Sequence, residues 1–61
     1  MAMTLQEAAE QSRRWPHSSR LNTDATQRLR ELYRASHPKN LNPSLRILWD
    51  WVNAELEKGD S

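Results

Sequence analysis

The sequence predicts an all-α fold, one small domain of three helices over residues 1–61. Two observations lead there. Helix-start residues recur three times, at Thr4, at Asn22 to Asp24 and at Asn42, and breakers follow at Pro16, Pro38 and Gly59. Between them the apolar residues return every three or four positions, not in alternation.

The first helix is expected over about residues 5–15. Thr4-Leu5-Gln6-Glu7 fits a capping box, in which the Thr hydroxyl and the Glu carboxylate satisfy free amides of the first turn. Leu5, Ala8, Ala9, Ser12 and Trp15 make one stripe, and Arg13 and Arg14 suit the negative end of the dipole. The stripe is thin, so this helix buries little by itself.

Residues 16–21 read as a linker, with Pro, His and two Ser, after which Asn22, Thr23 and Asp24 are three successive N-cap candidates. A second helix is expected over about residues 23–36, with Ala25, Leu29, Leu32, Tyr33 and Ser36 on one face and Arg30 and Arg34 opposite. Pro38 disfavours helical geometry at His37 and so ends it.

The third helix carries the strongest start, Asn42 as cap with Pro43 at the first helical position, and Gly59 as stop, giving about residues 43–58. Leu45, Leu48, Trp49, Val52 and Leu56 form one face, and Ile47, Trp51 and Ala54 a second stripe beside it. A helix so broadly apolar needs cover on more than one side. Either it is the central helix of a three-helix bundle, or Ile47, Leu48, Trp51 and Ala54 form an interface with a second copy or another protein. A dimer fits a chain this short, which buries only about 60% of its unfolded surface.

Charge is unevenly placed although the total is only +1: residues 13–39 carry +5, and the segments 1–12 and 40–61 carry −2 each. Arg13, Arg14, Arg20, Arg28, Arg30 and Arg34 supply most of the positive charge, and Arg forks onto carboxylates or phosphates. An acidic protein partner or a nucleic-acid backbone would suit that segment. A helix-turn-helix reading fails, because the polar strip of the third helix presents Asp50 and Glu57 to where phosphates would lie.

Catalytic constellations are weak. His17 beside Ser18 and Ser19 has suitable side-chain types, but neighbours in a linker cannot fix a base and a nucleophile. His17 and His37 have no metal-ligand spacing, and the single Gly excludes a glycine-rich phosphate loop. Zero Cys, no leader-like start and no apolar run near the ~18 residues of a membrane span lead to the expectation of a cytoplasmic chain without cofactor, metal, small-molecule substrate or membrane partner.

The sequence-based expectation is therefore a non-catalytic protein-binding regulator, adaptor or inhibitor. It would contact a larger protein through the Trp51 stripe and the Arg face, the kind of chain a phage or mobile element encodes. The alternative is a small DNA-binding transcriptional regulator using the basic middle for phosphate contacts.

Overall fold

The computed structural model describes residues 3–59, and they form three helices: α1 Leu5–Arg14, α2 Arg20–Ser36 and α3 Leu45–Gly59. Among the described residues there is no strand. The all-α expectation and the helix count hold.

Helix α1 starts at Leu5 as expected, and the Thr4 half of the capping box is present: the Glu7 amide donates to Thr4 Oγ1 at 3.1 Å. Ala8 and Ala9 are buried, as the stripe requires. Trp15 is not the inner end of that stripe. The backbone becomes extended there, and the indole lies at the surface, donating from Nε1 to Gln11 Oε1 at 2.7 Å.

Helix α2 starts three residues earlier than expected, at Arg20, and its cap is Ser19, whose Oγ accepts the Leu21 amide at 3.2 Å. The reason lies in Asn22. Instead of capping, it is 4% exposed, and its Nδ2 donates to the carbonyls of Ser12 (2.6 Å) and Trp15 (2.9 Å). Carbonyls at a helix C-terminus have no partner within the helix. Asn22 supplies one from the next helix, which draws its first turn back into the apparent linker. A Ser12–Thr26 hydroxyl contact at 3.3 Å and the Arg28 Nε donation to Met3 O at 2.8 Å continue the same seam. These pairs set α1 antiparallel to α2, with the small side chains of Ala8, Ala9 and Ala25 buried and the most extensive close backbone contact among the three helices between these two.

Helix α2 ends at Ser36 with His37 as its C-cap, in agreement with Pro38. Helix α3 begins at Leu45, two residues later than the Asn42-Pro43 signal predicts, and Ser44 Oγ accepts the Ile47 amide at 3.3 Å. Arginines decide this. Arg34 Nε donates to Leu41 O at 2.7 Å and Arg30 Nη1 to Pro43 O at 3.2 Å, so carbonyls of the connection are held by α2. Pro43 is buried there. The connection thus folds back along α2. Leu45 then shares a groove with Gln27 and Arg30, while Trp51 meets Tyr33 and His37, so α3 advances in the same sense as α2.

The core is Ala8, Ala9, Leu29, Tyr33, Leu48 and Val52, with Met3, Leu5, Trp49, Trp51 and Leu56 packed against it. Leu29, Leu48 and Val52 are the large side chains fully out of water, each worth about 1.5–3 kcal/mol of transfer free energy. Leu45, expected on the buried face, stays about half exposed, because it lies in the first turn of α3 at the mouth of an open groove. Among the described residues every buried side-chain nitrogen and oxygen has a hydrogen-bond partner.

Candidate protein-binding surface

Burial of Leu48 and Val52 fixes the rotation of α3, and with it the face turned to solvent. Ile47 is 47% exposed and Ala54 is exposed, while Trp51 on their flank is half-buried. Leu48, expected as part of this surface, is instead fully buried in the core. At 100° per residue it lies on the inner side of the helix, a quarter turn and more from Ile47.

Trp51 is held by aromatic neighbours. Its ring stands edge-on to Tyr33 at 5.4 Å between centroids and edge-on to His37 at 6.0 Å. Tyr33 and His37 are themselves stacked, 4.2 Å apart with an interplanar angle of 11°. Edge-to-face pairs of this kind contribute about 0.5–1.5 kcal/mol beyond their buried area. The His37 amide and its Nδ1 both lie on Tyr33 O, at 2.8 and 3.3 Å, and Asn40 Nδ2 donates to Tyr33 Oη at 3.1 Å. The indole that borders the outer face is therefore pre-positioned. Exposed Arg46, Asp50, Glu57 and Lys58 share the solvent side of the helix.

The arginines do not form one open patch. Arg13 Nη2 donates to Asn53 Oδ1 at 2.6 Å and its guanidinium lies 5.2 Å from the Trp49 ring centre, linking α1 to α3. Arg14 lies 5.7 Å from the Trp15 ring. Arg28 bonds Met3 O and pairs with Glu31 at 3.1 Å, and Arg30 and Arg34 hold the connection. Arg20 is exposed at the start of α2. Five of the six arginines thus have an intramolecular role that charge counting does not reveal. An exposed ion pair such as Arg28–Glu31 contributes at most about 1 kcal/mol.

His17 is exposed in the turn between α1 and α2 and the Ser19 hydroxyl caps α2. Among the described residues no three His, Cys, Asp or Glu side chains are grouped to hold a metal ion. No helix among them is long and apolar enough to cross a membrane. Two open grooves lie between helices. One, of about 440 Å³, runs between α1 and α3 past Glu10, Arg13 and Glu55; the other, of about 280 Å³, is lined by residues that include His17, Thr26, Arg30, Leu45 and Trp49.

Two features escaped sequence reading. Asn22 stands at helical spacing with Ala25, Leu29 and Tyr33, a polar residue in line with an apolar face, and that alignment was the available signal of its burial. The exposed Leu41 and Leu45 had no such signal, since their exposure depends on where the connection runs. No protein-family model, curated protein or solved structure matches the chain.

Proposed function

We propose that this domain is a non-catalytic protein-binding module whose contact surface is the outer face of α3, centred on Ile47, Trp51 and Ala54. It works as a regulator, adaptor or inhibitor by occupying a surface of another protein. The observation that carries this reading is the combination of an exposed Ile47 and Ala54 with a Trp51 braced by Tyr33 and His37. Trp is enriched among the residues that dominate interface energies, and a ring already held in place loses little entropy on docking. A second copy is the smallest partner for this face, paired across a two-fold axis so that the same residues meet on both sides. The nucleic-acid alternative has less support, because the arginines do not form one open patch: Arg13 is drawn to Asn53 and Trp49, and Arg28 to Met3 and Glu31.

The test is sedimentation velocity of the full chain at about 10 and about 500 µM, beside the Ile47→Glu variant, since association rises with concentration by mass action. Self-association of the parent chain that Ile47→Glu abolishes, with helical content retained, supports the paired form. A parent chain that stays monomeric leaves the face for a different protein. Cross-linking in the source cell that yields the same adducts for parent and variant removes the face from consideration altogether.

A further inference from the structure

A second surface lies on the other side of α3. Leu41 and Leu45 are 54% and 49% exposed, as exposed as Ile47, yet Leu45 and Ile47 are two residues apart and point to roughly opposite sides of the helix. Leu41 projects from a connection held at several points. Arg34 and Arg30 hold the carbonyls of Leu41 and Pro43, Asn40 Nδ2 donates to Tyr33 Oη, and the Asn40 amide donates to His37 O at 3.0 Å. An ordered loop that keeps a large apolar side chain in water has its ordering cost already met before any partner arrives.

The charge of the connection itself is positive. From residue 32 to residue 49 the chain has no Asp or Glu, and it places Arg34 and Lys39 there at the surface. A groove of about 280 Å³ has Leu45 and Trp49 on its apolar side and, on its polar side, Arg30, which also holds Pro43 O of the connection; no carboxylate lines it. Glu31 of α2, three residues before Arg34, pairs with Arg28 at 3.1 Å.

We infer that this surface, Leu41, Leu45 and Trp49 bordered by Arg30, Arg34 and Lys39, docks an acidic amphipathic segment of another protein. The apolar side chains of that segment enter the groove beside Leu45 and Trp49 and cover Leu41. Its carboxylates meet the cationic border, where each arginine that holds a loop carbonyl still has further N–H donors for a carboxylate. The apolar component separates this occupant from a nucleic-acid backbone, which would use the cations and leave both leucines in water. The surface is distinct from the outer face of α3, and its failure or success is read separately.

The probe is a fluorescein-labelled helical 18-residue peptide with a Leu stripe on a Glu background, titrated with the full chain by fluorescence anisotropy. Controls are the same peptide with Ser for Leu, the same with Lys for Glu, and a labelled DNA duplex. Saturable binding of the Glu/Leu peptide in the micromolar range is expected, weakened at least about tenfold by Leu41→Ser with Leu45→Ser, about threefold by Lys39→Glu, and not by Ile47→Glu. Leu41 and Leu45 are half in solvent, so circular dichroism of the variant should match the parent. Absence of binding at low salt overturns the proposal. Equal binding of the Ser-striped peptide or the duplex overturns it in favour of a simple polyanion site, and equal binding of the Lys peptide overturns the charge argument. Loss of binding in Ile47→Glu overturns it by moving the occupant to the outer face of α3, which would support the function proposed above.

Discussion

The α1–α2 hairpin and helix α3 are held by different physics. The hairpin is a close contact of small residues, Ala8, Ala9 and Ala25, with polar clasps along it at Asn22, Ser12–Thr26 and Arg28–Met3. Helix α3 makes far less close backbone contact with either partner and is held by long side chains: Leu48 and Val52 inside, Trp51 against Tyr33 and His37, Arg13 across Trp49 to Asn53. Small residues give proximity and directional hydrogen bonds. Large ones give most of the apolar area, and they leave grooves between the helices, one of which holds Leu45 and Trp49 of the second proposed surface.

The largest effect expected from breaking this contrast is Leu48→Ala. It removes a fully buried side chain from the only helix that completes the core and should cost about 2–5 kcal/mol, enough to melt a domain of this size near room temperature. Thermal unfolding followed by circular dichroism checks it; a midpoint within a few degrees of the parent would show that α3 is not needed for the rest to fold. Next comes Asn22→Ala, which leaves the carbonyls of Ser12 and Trp15 without their buried donor and should cost about 1–3 kcal/mol in urea unfolding. Hydrogen exchange in that variant should rise first at the α1–α2 seam, and a rise confined to α3 would reverse the assignment of the clasp.

A smaller loss is expected of Thr4→Ala, about 1 kcal/mol, because only one first-turn amide of α1 loses its acceptor. An unchanged midpoint there would mean that tertiary contacts alone hold α1 in place. Smallest of all, Ile47→Ser on the outer face should change stability by no more than about 0.5 kcal/mol while reducing any association through that face. A stability loss of several times that size would place Ile47 in the core and remove the surface.

Helix boundaries were legible where a local signal acts alone and were displaced where a distant partner competes. Thr4 caps α1, its hydroxyl accepting the amide of Glu7 three residues on. Asn42-Pro43 carries the strongest local signal and Asn22 is one of three cap candidates, yet neither starts a helix. Asn22 is taken by the carbonyls at the end of α1, and Pro43 is buried with its carbonyl bound by Arg30. The same competition explains the arginines. Their charge is visible in composition, but four of the six donate hydrogen bonds to groups distant in sequence, and a census of charge cannot distinguish those from free ones. Of the expected interface, Ile47 and Ala54 lie in solvent and Leu48 does not, because two stripes that adjoin on a helical wheel can be told apart only by what packs on them.

The sequence by itself determined that the chain is helical, that it breaks near Pro16 and Pro38, and that its third helix is apolar on two adjoining stripes; these follow from backbone propensity and from the 3.6-residue period, which act over a few residues. Tertiary structure alone decided which stripe of α3 faces inward, that the connection before it folds back along α2, and that Leu41, Leu45 and Ile47 remain in water. Each of those depends on a contact between groups far apart in the chain, Asn22 with the end of α1, Arg30 and Arg34 with the connection, Tyr33 with Trp51, whose free energy exists only once the helices have met.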